Sequence, residues 1–138
     1  MKIAIINGPN LNLLGTREVD VYGAESFEHY FNRLRKKYET IDFDYFQSNV
    51  EGELINEIQK AAKNMDGIIL NAGAYTHTSI AIGDTVAAVR VPVVEVHISN
   101  IENREDFRKY SHISAKCSGT IFGFGLKGYE LAVESFLR

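Results

Sequence analysis

The strongest constraint on this chain is a rhythm: short apolar, β-branched runs alternate with segments of helical period. Five runs read as strands, over Ile3–Ile6, Ile41–Phe46, Gly67–Leu70, Val91–Val96 and Gly119–Phe124. Stretches such as Ile68-Ile69-Leu70 and Val93-Val94 are apolar at every position, which suits strands covered on both faces. Asp42 and Asp44 alternate with apolar neighbours and place the second run nearer an edge. Between the runs lie helical stripes: Phe27, Tyr30, Phe31, Leu34 and Tyr38, then Leu54, Ile55, Ile58, Ala61 and Ala62. Ile80, Ala81, Val86, Ala87 and Val89 make a third, and Tyr129, Leu131, Ala132 and Phe136 a fourth. A short helical turn is expected over Glu102–Tyr110. Strand–helix alternation of this kind requires right-handed crossovers. The fold class that follows is α/β, a flavodoxin-like doubly wound five-stranded parallel sheet with helices on both faces.

A length of 138 residues suits a single domain over 1–138, without repeat or linker. Such a domain buries about two-thirds of its unfolded surface and needs no staples. The net charge of −3 comes without a long basic run, which argues against nucleic acid as a partner. Cys117 is the only cysteine, and only four apolar residues separate Lys2 from Asn7, too few for a secretory leader. No stretch approaches the ~18 apolar residues of a membrane span. A cytoplasmic protein without membrane contact is expected.

Several sites are excluded by what is missing. The first loop has no phosphate-cradling glycine–lysine motif, and no G-x-S-x-G elbow appears. The histidines at 29, 77, 97 and 112 show no paired metal-ligand spacing and Cys117 stands alone, so a zinc site is not expected.

Three strand ends carry polar residues that folding alone does not require. After the first strand comes Asn7-Gly8-Pro9-Asn10-Leu11-Asn12, then Arg17 and Tyr22 in a loop unusually long for such a fold. After the third comes Asn71-Ala72-Gly73-Ala74-Tyr75-Thr76-His77-Thr78-Ser79, and the fourth ends Glu95-Val96-His97-Ile98-Ser99-Asn100. In a doubly wound sheet these ends converge on one crevice. Glu95 and His97, two apart on a strand, point to one face, and read either as an imidazole held in one tautomer by a carboxylate for general acid work or as a strand-end histidine hydrogen-bonded for structure.

A phenol ordinarily ionises near pH ~10, too high for a base at neutrality. A guanidinium about 4 Å away, at an effective dielectric of about 20, contributes about 4 kcal/mol, roughly a thousandfold in acidity. Arg17 and Tyr22 therefore read either as a tyrosinate base with its activator or as a solvated charge beside an aromatic turn residue. Asn12 reads as a turn residue. Asn10 and Asn71 read either as turn residues or as binders of an enolate, water or hydroxyl. Tyr75 reads as packing. His77 either caps the next helix or contacts a substrate hydroxyl. Asp84, Arg104 and Arg108 would ordinarily be solvated, with one arginine available to an anionic ligand.

Gly8-Pro9-Asn10-Leu11-Asn12-Leu13-Leu14-Gly15, Thr16-Arg17-Glu18 and Tyr22-Gly23 together resemble the signature of type II 3-dehydroquinate dehydratases. Phe46-Gln47-Ser48-Asn49, Glu51-Gly52-Glu53-Leu54, Gly73 to Ser79 and Glu95 to Asn100 extend the resemblance in one collinear order. It implies anti elimination of water from 3-dehydroquinate through an enolate, without Schiff base, metal or other cofactor. Tyr22 is then the base, Arg17 its activator, His97 the acid and Glu95 its orienting partner, with Asn10 on the enolate through a water. Asn71, His77, Ile98, Ser99 and Arg108 would bind substrate. Asp84 would reach a neighbouring subunit's site in a homododecamer built of trimers. Val19, Ala72 and Val50 stand where the family commonly has proline, proline and histidine, and none of them removes a proposed catalytic group. The competing readings are a flavodoxin-like module binding a mononucleotide and a catalytically silent subunit. A mononucleotide binder needs a Ser/Thr-rich phosphate loop after strand one, where this chain has amides and leucines.

Overall fold

Five strands, β1 (Lys2–Asn7), β2 (Asp42–Gln47), β3 (Gly67–Asn71), β4 (Val93–His97) and β5 (Gly119–Phe122), form one parallel sheet in the order β2-β1-β3-β4-β5. This is the flavodoxin-like order expected, seen in a computed structural model that describes residues 1–16, 20 and 24–137. The order reverses between β1 and β3, which are hydrogen-bonded neighbours running the same way. Their last residues, Asn7 and Asn71, lie in register and so arrive together at the carboxyl edge.

Strand alternation divides the core in two. Ile3, Ile5, Ile69, Val94 and Val96 face helices α1 (Phe27–Lys37) and α4 (Lys127–Phe136), packing on Phe27, Tyr30, Leu34, Tyr129, Ala132 and Val133. Ala4, Ile6, Ile68, Leu70 and Val93 face α2 (Glu51–Asn64) and α3 (Ile80–Ala88) through Leu54, Ile58, Ala61, Ile82 and Val86. β2 is the outer strand beside β1, and its Asp42 and Asp44 are exposed, as their alternation indicated.

The helix starts follow from local chemistry. Ser26 Oγ accepts from His29 N at the head of α1, and Ser79 Oγ from Ile82 N at the head of α3, each satisfying an otherwise unpaired amide. Two short 3-10 helices, Ile101–Asn103 and Asp106–Lys109, occupy the region where one helical turn was expected.

Some boundaries shift for physical reasons. β4 begins at Val93, after Pro92, which can donate no ladder hydrogen bond, and runs on to include His97. β5 stops at Phe122 because Gly123 turns the chain with φ 93°. α3 is the clearest correction. Its buried residues are Ile82, Gly83, Thr85 and Val86, whereas Ile80 is 64% exposed and Ala81 and Ala87 are also exposed. A helix so apolar all round gives no directional signal. Gly83 decides its orientation, since a Cβ there would lie 2.4 Å from the His112 carbonyl oxygen.

A polar network crosses the α1/α4 layer at the carboxyl edge. Tyr129, 0% exposed, donates its hydroxyl to Asn7 Oδ1 at 2.8 Å and accepts from Asn71 Nδ2 at 2.9 Å. Burial pushes the phenol well above its ordinary pKa, so it stays a donor. Tyr129→Phe is expected to cost about 1–3 kcal/mol by leaving two buried amide groups without this partner. The measurement is the urea midpoint, and an unchanged midpoint would mean the two amides re-pair elsewhere.

Candidate active site

At the reversal between β1 and β3 the two following loops knit together. Gly8 N donates to the Asn71 carbonyl at 2.7 Å, and a methyl at Gly8 would sit 2.5 Å from the Ala72 oxygen. Only glycine permits that approach. Beyond it, Asn10 takes a left-handed backbone with φ 69°, the one described non-glycine residue at positive φ. The left-handed turn thus falls at Asn10, while Asn12 sits within the 3-10 helix Leu11–Leu13. Residues after β2 brace this loop. Gln47 Nε2 donates to the Gly8 carbonyl and to Asn49 Oδ1, both at 3.1 Å, and Asn49 Oδ1 also accepts from Asn10 N at 3.0 Å. Tyr75 donates to the Asn49 carbonyl at 2.8 Å, a packing role as expected.

The loops line a small cleft at the carboxyl edge of the sheet, where ligands of open parallel sheets sit. Pro9, Asn10 and Leu11 line it from the β1 loop, and Asn71, Gly73, Ala74 and His77 from the β3 loop. His97, Ile98, Ser99, Ile101, Arg104 and Arg108 complete it. Of the residues singled out in the sequence, Asn10, Asn71, His77, His97, Ile98, Ser99 and Arg108 are brought together. Glu95 lies beneath them on β4. Asp84 is exposed on α3, away from the cleft of its own chain. Arg17, Val19 and Tyr22 lie outside the described residues.

The cleft floor is the Glu95–His97 pair. Glu95 is fully buried and His97 is 5% exposed, and His97 Nε2 is hydrogen-bonded to Glu95 Oε2. Burial opposes ionisation of Glu95, but hydrogen bonds from His97, Ser114 and Ser111 hold its carboxyl below the usual range. The ring nitrogen left for the cleft is Nδ1. A pair so arranged delivers a proton from one defined atom and recovers it there.

His77 has the complementary state. Its Nδ1 lies 2.7 Å from the Tyr110 carbonyl, which can only accept, so Nδ1 carries the hydrogen and Nε2 keeps a lone pair. Burial holds its pKa below the ordinary value, and the ring stacks near that of His97 with centroids 6.2 Å apart. A neutral imidazole with a bare nitrogen accepts from a hydroxyl. Ser79 rather than His77 caps α3.

Asn71 has one amide hydrogen committed to Tyr129 and its oxygen bonded by Gly73 N at 3.1 Å. One N–H remains for a ligand. Arg108 pairs through Nε with Glu105 at 2.8 Å, leaving both Nη groups outside that ion pair. Arg104 Nη1 donates to Ser99 Oγ at 3.4 Å. Two guanidinium groups, two imidazoles and several amides around one small cleft fit a hydroxylated, anionic molecule.

Residues given no role in the sequence reading also support the site. Ser111, Ser114 and Thr120 reach the buried carboxylate, and Gln47 and Asn49 hold the Asn10 turn. Of these, only Gln47 and Asn49 were in view in the sequence, within the Phe46-Gln47-Ser48-Asn49 motif of the resemblance and without a role.

Among the described residues no three His, Cys, Asp or Glu side chains group to hold a metal ion, and no helix is long and apolar enough to cross a membrane.

A parallel sheet whose reversal point carries a polar cleft over a buried carboxylate–imidazole pair defines an α/β protein with a site of the right chemistry for proton transfer on a small molecule. The sequence makes this particular. Residues 1–137 match the family described as dehydroquinase class II, and the chain belongs to that family. It is therefore an enzyme, a dehydratase of the hydro-lyase class. A 3-dehydroquinate dehydratase of Campylobacter jejuni is 51% identical over 140 residues, covering 100% of this chain and 88% of the relative. One from Fusobacterium nucleatum is 55% identical over 138 residues, covering 96% and 94%. The crystal structure of type II dehydroquinase from Butyrivibrio crossotus superposes with a TM-score of 0.96 at 46% identity, covering 100% of this chain and 98% of that one.

Proposed function

We propose that this protein converts 3-dehydroquinate to 3-dehydroshikimate by anti elimination of water through an enolate, within a single catalytic domain spanning 1–138. The observation that carries the mechanism is His97, buried against Glu95 with Nδ1 left for the cleft. Tyr22, ionised beside Arg17, takes the C2 proton, and the electron pair moves onto the C3 carbonyl oxygen as the enolate. The enolate then collapses, the C1–O bond breaks, and His97 protonates the departing hydroxyl to give water. Asn10 steadies the enolate oxygen through a bound water, placed by its left-handed turn at the cleft wall.

Asn71, His77, Ile98, Ser99 and Arg108 hold the substrate hydroxyls and carboxylate. The free N–H of Asn71 donates and the bare Nε2 of His77 accepts, so the two discriminate the polarity of what they bind. Arg108 supplies positive charge to the carboxylate. Asp84 completes a neighbouring subunit's site in a homododecamer built of trimers, which fits its place on the outer face of α3. The reaction belongs to the shikimate pathway to aromatic amino acids, in the cytoplasm, with neither nucleic acid nor membrane as partner.

The test is direct, because the product is a conjugated enone that absorbs in the ultraviolet and the substrate barely does. Purified protein is expected to raise that absorbance from 3-dehydroquinate at the same rate with and without a metal chelator. Borohydride added with substrate is expected to leave activity intact, since no Schiff base forms. A flat trace would end this assignment, and inactivation by chelator or borohydride would replace the mechanism.

A further inference from the structure

We propose that Ser111 and Ser114 are positioning residues that hold Glu95 as a permanent carboxylate, locking His97 into the tautomer with its proton on Nε2. Only Nδ1 then exchanges a proton with the contents of the cleft. The inference deepens the reading of His97 as the acid and rests on it.

The hydrogen-bond accounting is closed at Ser111. Its Oγ accepts from Ile113 N and from Ser114 N, both at 3.0 Å, which occupies its two lone pairs. Its one hydrogen is left to donate, and it points at Glu95, 3.2 Å from Oε2 and 3.4 Å from Oε1. Ser114 Oγ lies 2.5 Å from Oε1, and Thr120 Oγ1 approaches the same oxygen at 3.5 Å. Oε2 takes His97. Both oxygens are therefore surrounded by donors, an arrangement that favours the ionised acceptor over the neutral acid.

Glu95 is 0% exposed, so without such donors an ion pair here would be unfavourable. The alternative is transfer of the proton from His97 Nε2 to Oε2, leaving a neutral acid beside a neutral ring. That ring would carry its hydrogen on Nδ1 and would have no Nε2–H to anchor it. The serines oppose this step. They sit on the segment that covers the Val93–Glu95–His97 face of β4, where the core changes from apolar to ionic.

The other groups facing the pair do not substitute for them. Cys117, from the same covering segment, is pushed up to about 12 by burial and by the Glu95 charge, so it stays a neutral thiol. His77, whose ring lies near that of His97, has its pKa held below the ordinary value by burial, and Arg108 is a fixed positive charge close enough to act on His77. Thr120 from β5 adds only a long contact.

The experiment is nitrogen NMR of protein labelled at histidine, on the whole chain without ligand, beside steady-state kinetics. In the unsubstituted protein the neutral form of His97 is expected to be protonated at Nε2. In Ser111→Ala/Ser114→Ala it is expected to become a mixture of both tautomers, with kcat down about 10- to 100-fold and KM changed less than about threefold. Ser114→Thr, which keeps a hydroxyl, is expected to retain the single tautomer. Should the double variant not fold, Ser114→Cys carries the same measurement, with a weak donor and a partial mixture expected. An unaltered tautomer in the folded variant overturns the proposal, as does a loss confined to melting temperature. A protein inert towards 3-dehydroquinate but with Nε2–H intact would remove the substrate assignment and leave the clamp in place.

Discussion

His97→Ala is expected to lower kcat about 10²- to 10⁴-fold, the usual contribution of a positioned general acid. The protein should remain folded, because Ser111, Ser114 and Thr120 still donate to the buried Glu95 carboxylate when the ring is removed. Substrate should still bind, since Asn71, His77, Ser99 and Arg108 line the cleft independently of the acid. The loss therefore belongs in kcat rather than KM. Turnover within tenfold of the unsubstituted enzyme would mean that another group protonates the leaving oxygen.

Tyr22→Phe is expected to be as damaging, again about 10²- to 10⁴-fold in kcat, although it deletes a single oxygen. A phenyl ring keeps the size of the side chain and removes only the proton acceptor. The acidic fall in rate should disappear in this variant. Arg17→Ala should retain the phenol but shift that acidic limb to higher pH, since the guanidinium no longer favours the phenolate. Steady-state rates across pH for the three variants separate base, activator and acid. A Tyr22→Phe enzyme that keeps its rate would place proton abstraction elsewhere in the cleft.

The sheet was legible because each strand is short, apolar and bounded by turn residues, and a parallel order leaves few topologies. Glu95 and His97 were legible for the same reason, since a separation of two on a strand fixes a shared face. α3 misled because Ile80, Ala81 and Ala87 are as apolar as Ile82 and Val86, so composition could not say which side met the core. Asn10 and Asn12 are chemically identical, and which one adopts the left-handed turn depends on Asn49 and Gln47 across the sheet edge. Tyr129 looked like one more aromatic in a helical stripe. Its hydroxyl partner Asn7 is 122 residues away, a relation that no local pattern encodes. Ser111 and Ser114 sit in a segment without periodicity, and only packing on β4 reveals their target.

Gly83 has no functional group, yet its Cα carries α3 against the carbonyl of His112, beside the serines that grip Glu95. A Cβ on Gly83 would meet that carbonyl oxygen at 2.4 Å, so the contact acts as a caliper between an outer helix and the segment behind the Glu95–His97 pair. Any added bulk on that side would be felt as a wider jaw around the carboxylate. The tolerance of the chemistry is thus set at a position that takes no part in it.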